Sequence, residues 1–130
     1  IGVMADVPFL CHIRRGVEIS PQDPYLEVAG YLAVQRDHVE QAFRTLSYVD
    51  AVNFARRASA PALVSVALVG KNCPPATVYA AVNHYGERVT GQGLERSTVE
   101  VVEYPFNNHE GGDAHQQARQ LEWVARLLGA

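Results

Sequence analysis

One histidine lies where packing alone does not explain it. The segment at residues 105–112, PFNNHEGG, places His109 after two asparagines and shortly before two glycines. Glycine permits tight turns and asparagine tolerates unusual backbone angles, so this composition predicts a sharply turned, exposed loop. Histidine gains and loses a proton near neutral pH, which suits it to general acid–base catalysis. From the residues, two interpretations stay open: a catalytic base, or a surface histidine that only helps the turn.

The elements that must position this loop are visible in the hydrophobic pattern. Three short runs of mostly apolar, often β-branched residues, at 1–7, 61–69 and 99–106, are typical of buried strands. Helical patterns separate them, and one more follows the last run. Strands that alternate with helices predict right-handed crossovers and a parallel sheet, so the expected fold class is α/β.

The helices are predicted with specific ends and faces. Asp23 is expected to cap one helix with Pro24 in its first turn, Asp50 to cap a short one, and Pro75 to begin another. Residues 84–98 contain three glycines and mixed charge, which predicts a surface loop. The last helix, at about 113–128, is expected to turn an apolar face inward, formed by Ala114, Ala118, Leu121, Val124, Ala125 and Leu128.

A parallel sheet would bring three loops to one edge. Active sites of open α/β sheets lie beyond the carboxyl ends of the strands. The loop after Asp6, the loop from Gly70 to Pro75 and the loop that holds His109 each follow a predicted strand. We therefore expect these three loops to meet.

Composition excludes several classes of function. The 130 residues suit one domain, and the net charge of -3 shows no basic excess, so we expect no nucleic-acid partner. No apolar run approaches the roughly 20 residues that span a bilayer, and no signal peptide is visible, so we expect no membrane association and a cytoplasmic location. Cys11 and Cys73 form no disulfide framework. A zinc site from Cys73, His84 and His109 lacks recognised ligand spacing, so neither metal nor cofactor is expected.

Longer blocks of the chain resemble a known family. The blocks are MADVPFLCHIRRGVEI, DPYLEVAGYLAVQRDHVEQAFRTLSYVDAVNFARRASAPALVSVALV, CPPATVYAAVNHY and YPFNNHEGG. They resemble the C-terminal half of the acetyl xylan esterases, which belong with the cephalosporin-C deacetylases in carbohydrate esterase family 7. The resemblance covers nearly the whole chain and breaks around residues 86–98. It implies a single partial domain over 1–130: the C-terminal half of an α/β-hydrolase fold, with about three parallel strands and flanking helices.

The resemblance also implies a chemistry. The family removes acetyl groups from xylo-oligosaccharides and cephalosporin C with a Ser-His-Asp triad. His109 matches the triad histidine, Gly70 stands where the family has its acid, and no G-x-S-x-G elbow occurs in the chain. Pro8 and Phe9 would line an acyl pocket, with local core packing as the alternative. Because loss of the nucleophile alone slows such triads about a million-fold, we expect an esterase-like chain that is inactive alone. The alternative is a non-catalytic hydrolase-like module for assembly or ligand binding.

Other side chains could replace the missing groups. Cys73 could serve as a nucleophile beside His109, although a packed thiol is favoured. Asp6 or Glu110 could supply the acid, but for Asp6 we favour a structural pairing and for Glu110 a brace within its loop. Ser65 lies in a strand and is predicted to be a packed hydroxyl.

The partners follow from the same resemblance. The first strand would leave an unpaired apolar edge, which favours either a homo-oligomer or docking onto an N-terminal half supplied as another chain. If the chain is complemented in this way, we expect an acetylated sugar or a cephalosporin-type small molecule as substrate.

Overall fold

Three parallel strands form the centre of the chain. A computed structural model describes residues 2–90 and 96–129. The strands are β1 (Val3–Asp6), β2 (Ala62–Ala67) and β3 (Val99–Tyr104), in the sheet order β1-β2-β3. Ala62 pairs with Val3 on one side and with Val99 on the other. The predicted parallel α/β sheet is confirmed, although each strand is shorter than its apolar run.

The central strand carries the core. Every residue of β2 is buried, as expected for a parallel strand that helices cover on both faces. At the sheet edges the strands are more open, and Val3 and Met4 of β1 are 42% and 47% exposed. The core cluster around β2 comprises Val7, Ala62, Val64, Val66, Ala67, Cys73, Val78 and Tyr85.

Helices connect and flank the strands. Between β1 and β2 lie four α-helices, with a 3-10 turn at Arg36–His38 between the second and the third. The bounds are α1 (Ile13–Ile19), α2 (Tyr25–Val34), α3 (Val39–Leu46), α4 (Ala51–Ala55), α5 (Pro75–His84), α6 (Glu87–Thr90) and α7 (Asp113–Leu128).

The start of the helical region differs from the prediction. Helix α1 was not predicted, because its sequence interrupts the apolar period with Gly16 and two arginines. Gly16 is there for packing: a Cβ at this position would lie 2.4 Å from the ring of Tyr25, so its absence lets α1 and α2 approach closely. The predicted cap of α2 by Asp23 is wrong, since Pro24 is the N-cap residue and no side chain caps the helix.

The predicted cap by Asp50 is confirmed and extends to a second helix. Its Oδ1 accepts a 3.0 Å hydrogen bond from the backbone N–H of Val52, at the start of α4. The same carboxylate accepts the backbone N–H groups of His12 at 3.0 Å and Ile13 at 2.7 Å, at the start of α1. One side chain thus satisfies unpaired amides at two helix starts.

The surface loop predicted at residues 84–98 is wrong in part. Helix α5 continues to His84, and α6 occupies Glu87–Thr90. The guanidinium of Arg96 donates to the carbonyl oxygens of Asn83 at 2.7 Å and Tyr85 at 2.6 Å, and so closes the end of α5. Residues 91–95 of the predicted loop lie outside the described part of the chain.

The inward face predicted for α7 is wrong in part. Its buried residues are Gln116 and Trp123, with the Trp123 ring against Gly2. Of the predicted face, Val124 and Ala125 are half-buried, whereas Ala114 and Ala118 are exposed. Leu121 and Leu128 are 74% and 77% exposed. Polar contacts from Gln116 to the sheet fix the rotation of the helix, and they turn the apolar face away from the described core.

Candidate functional site

The loops after β2 and β3 are joined by backbone contacts. Beyond the last paired residues, the N–H of Leu68 donates to the carbonyl oxygen of Tyr104 at 3.0 Å. The N–H of Val69 donates to the carbonyl oxygen of Asn107 at 3.2 Å. Together these bonds place the turn at Gly70 beside the His109 loop, as the sheet edge predicted.

A polar clamp fixes the next residue of the β2 loop. The N–H of Lys71 donates to Oδ1 of Asn108 at 3.1 Å, and the carbonyl oxygen of Lys71 accepts the hydroxyl of Ser20 at 2.6 Å. The clamp therefore joins three segments that are distant in sequence. Sequence reasoning missed these positioning roles, because nothing local signals contacts across 37 and 51 residues.

The His109 loop is braced from within. The carboxylate of Glu110 accepts the side-chain amide of Asn107 at 3.0 Å and the backbone N–H of Asn108 at 3.1 Å. Hydrogen bonds from its own backbone amide, from that of Asn108 and from the Asn107 side chain hold the pKa of Glu110 below its ordinary value. The predicted brace is confirmed, so this carboxylate is occupied by its own loop.

The two glycines are needed for the turn. Gly111 and Gly112 have φ angles of +58° and +93°, in the left-handed region that favours glycine. A Cβ at Gly112 would also lie 2.2 Å from the ring of Tyr104. The composition of the loop thus predicted its geometry correctly.

His109 points one ring nitrogen at a buried thiol. Its side chain is exposed, and Nδ1 lies 3.8 Å from Sγ of Cys73. Cys73 is 2% exposed, and burial raises the pKa of its thiol to about 11. The sulfur therefore stays protonated at neutral pH and lacks the thiolate character of a nucleophile. The structure does bring the two residues together, but as a thiol beside an imidazole.

The turn at Gly70, where the resemblance predicted the triad acid, is closed to a side chain. Gly70 is buried, and its N–H donates to the carbonyl oxygen of Ala67 at 3.0 Å. A Cβ at Gly70 would lie 2.9 Å from that oxygen and 3.0 Å from the carbonyl oxygen of Cys73. Any side chain here would have to displace backbone atoms.

Asp6 is engaged by α7. Its Oδ1 accepts the amide of Gln116 at 2.8 Å, and its Oδ2 accepts the amide of Gln120 at 2.7 Å. Gln116 in turn accepts the hydroxyl of Tyr104 at 2.9 Å. The structural pairing expected for Asp6 is confirmed: both carboxylate oxygens hold the last helix on the sheet.

The hydroxyls of Ser65 and Ser20 are occupied by hydrogen bonds too. Ser65 is fully buried, accepts the N–H of Val7 at 3.0 Å and donates to Oδ1 of Asp6 at 3.4 Å. It is the packed hydroxyl that the sequence predicted. Ser20 is 7% exposed and belongs to the clamp at Lys71.

Pro8 and Phe9 follow β1 and are half-buried. The ring of Phe9 lies 5.2 Å from the ring of Tyr25 and packs against the core cluster. This is the local packing that the sequence left as the alternative, and the role of both residues in an acyl pocket stays a prediction.

A separate groove of about 600 Å³ runs between α2 and α3. No residue of the loops after β1, β2 and β3 that were described above lines this groove. Its walls are formed by Glu27, Val28, Tyr31, His38, Gln41, Ala42, Thr45 and Leu46.

Two further features are absent from residues 2–90 and 96–129. There, no group of three or more His, Cys, Asp and Glu side chains is placed to hold a metal ion. In the same part of the chain, no helix has the length and apolar character to cross a bilayer.

The similar proteins found by comparison share one description. A family model described as acetyl xylan esterase matches residues 1–127. The chain is similar to the acetyl xylan esterase from Paenibacillus sp. R4, with 34% identity and a TM-score of 0.78 over 95% of this chain and 37% of that one. Acetyl Xylan Esterase 1 from Thermoanaerobacterium sp. JW/SL YS485 has the same fold, with 24% identity and a TM-score of 0.75 over 93% and 37%. The chain thus spans about 37% of the length of these two structures.

Proposed function

The chain belongs to the acetyl xylan esterase family, and from this premise we propose that it supplies the general base of a carboxylic ester hydrolase. The substrates would be acetylated xylo-oligosaccharides, with the acetyl ester of cephalosporin C as a related small molecule. The observation that carries the proposal is the exposed His109, held by a braced loop where parallel strands end.

The reaction needs a serine from outside this chain, because the chain has no nucleophile elbow. That serine would attack the acetyl carbonyl carbon while Nε2 of His109 takes its proton. Collapse of the tetrahedral intermediate would release the sugar oxygen, which receives the proton from His109. Water would then cleave the acetyl-serine with the same histidine as base. The oxyanion donors would come from the segment that brings the serine.

Two uncovered apolar surfaces would receive that segment. One is the free edge of β1 at Val3 and Met4. The other is the apolar face of α7, where Leu121 and Leu128 are largely exposed. We propose that a serine-bearing segment of the same esterase fold covers both, and a second copy of this chain is the other candidate. The 37% share of the two esterase structures favours the first partner.

The experiment is a complementation assay with p-nitrophenyl acetate. The chain is measured alone and then mixed with the serine-bearing N-terminal segment of a family member. Loss of the acid slows such triads about 10,000-fold and loss of the nucleophile about a million-fold. We therefore expect no His109-dependent turnover alone and slow turnover in the mixture. His109→Ala should abolish that turnover and His38→Ala should not.

Binding is checked separately by size-exclusion chromatography of the chain at dilute concentration. We expect a species larger than the monomer, or a shift to a larger species on adding the segment. A clean monomer that ignores the segment would contradict the proposed partner.

A second candidate is a non-catalytic module for assembly or ligand binding. It is favoured by Gly70, which leaves the acid position empty and closed. A complex that forms but shows no His109-dependent turnover would support this candidate over the esterase.

A further inference from the structure

The geometry points to Cys73 as the positioning residue of His109: its S–H donates to Nδ1 and holds the ring in the tautomer with the proton on Nε2. This inference deepens the proposed function and concerns the same site. It assigns a task to a side chain that the triad chemistry does not use.

The contact has one favoured direction. Sγ and Nδ1 are 3.8 Å apart, within the reach of a sulfur hydrogen bond. An imidazole nitrogen is a strong acceptor, whereas a thiol sulfur is only a weak one. Burial keeps Cys73 in its protonated form, so the proton sits on sulfur and is available to Nδ1. The thiol is therefore the donor.

The backbone around Cys73 keeps the thiol in place. On one side, Lys71 is held through both its N–H and its carbonyl oxygen by Asn108 and Ser20. On the other side, the carbonyl oxygen of Pro74 accepts the hydroxyl of Thr77 at 2.7 Å, within the first turn of α5. Because Asn108 precedes His109 directly, the clamp also fixes the imidazole relative to the thiol.

This tautomer is the opposite of the one a triad uses. In a triad the acid accepts Nδ1–H, and Nε2 presents a free electron pair to the serine. Here Nε2–H faces outward as a donor, so His109 would have to change tautomer before it could take a proton. A triad histidine held in the wrong tautomer is about 10,000-fold slower.

The same geometry predicts the position from which a carboxylate could accept a hydrogen bond from Nδ1 of His109. Position 70 has backbone oxygens at 2.9 and 3.0 Å from any Cβ. Position 73 already directs its side chain at Nδ1, and a carboxylate reaches further from the backbone than a thiol. Cys73→Asp should therefore engage Nδ1, whereas Gly70→Asp should not.

The test measures the tautomer by NMR on the full chain with 15N-labelled histidine. His109→Gln assigns the signals. At a pH where the ring is neutral, we expect wild type to carry the proton on Nε2 and Cys73→Asp to carry it on Nδ1. Cys73→Ser carries its donor on a shorter bond, so the hydroxyl cannot span the 3.8 Å that the sulfur spans, and this variant should resemble Cys73→Ala. In Cys73→Ala, His109 should show a mixture of both tautomers, as the exposed His38 does. Cys11→Ala removes the other buried thiol and should change nothing at His109.

Two results would overturn the inference: Nδ1–H in the wild type, or a Cys73→Ala tautomer identical to that of wild type. If Cys73→Asp does not fold, as judged by circular dichroism, the serine and alanine variants still decide. The measurement needs no serine and no substrate. A failed complementation assay with the expected tautomers would therefore reject only the esterase proposal, and the reverse pattern would reject only the role of Cys73.

Discussion

The ends of β1 and β2 differ in whether they carry a carboxylate. At β1, Asp6 is present and accepts amides from two glutamines of α7. Beyond β2, at the position where the resemblance predicts the triad acid, Gly70 stands in a closed turn. The edge of the sheet thus holds a carboxylate that joins the last helix to the strands, and at Gly70 it has no side chain that could orient His109.

The largest loss of stability should come from disrupting the contacts of Asp6 at the end of β1. Gln116→Ala removes the group that joins Tyr104 to Asp6 and leaves the buried hydroxyl of Tyr104 without its partner. We expect a loss of about 2 to 4 kcal/mol in the free energy of unfolding. The unpaired hydroxyl accounts for about 1–3 kcal/mol, and the cavity left by the buried Gln116 side chain adds to it. Urea denaturation measures it. Gln117→Ala, on the exposed side of α7, is the matched control and should change stability by less than about 0.5 kcal/mol.

The closed turn at Gly70 should not accept an introduced side chain without a loss of stability. Gly70→Asp and Gly70→Ala place a Cβ against the same two carbonyl oxygens, so both should lower stability by about 1–3 kcal/mol. Equal losses in the two variants would assign the effect to the Cβ rather than to the charge. A fully stable Gly70→Asp chain would show that the turn opens easily, and the contrast with β1 would fail.

Asp50 is a second carboxylate with a structural role, and it extends the comparison with Gly70. Asp50 accepts backbone amides at the starts of α1 and α4. We expect Asp50→Ala to lower stability by about 1 to 2 kcal/mol, at the upper end of a single cap, in a thermal or urea melt. Asp37→Ala, in the 3-10 turn, is the control. No loss at position 50 would mean that helix capping contributes little here.

The smallest effect concerns the thiols and pH. Burial raises the pKa of Cys73 from 9.0 to about 11. Because the folded state favours the protonated thiol, its contribution to stability is intact below pH 9 and is lost as the pH rises towards about 11. We also expect slow alkylation at pH 8 that becomes fast on unfolding. Rapid alkylation of Cys73 in the folded chain would contradict a buried, protonated thiol.

The sequence predicted what depends on local chemistry. The apolar runs predicted the parallel strands, the glycines predicted the His109 turn, and Asp50 was recognised as a cap. The rotation of α7 was not predictable from its apolar period, because the contact of Gln116 with Asp6 spans 110 residues. Helix α1 was missed because Gly16 serves packing against Tyr25 rather than helix propensity. The pairing of Cys73 with Nδ1 likewise needed coordinates, since a turn and a clamp create it.

The most direct measurement compares two acids in the complementation assay. Cys73→Asp and Gly70→Asp chains are each mixed with the serine-bearing segment, and turnover of p-nitrophenyl acetate is compared with that of the wild-type mixture. Our account predicts that the carboxylate at position 73 raises His109-dependent turnover well above wild type, whereas the one at position 70 does not. Recovery from position 70 together with none from position 73 would contradict it.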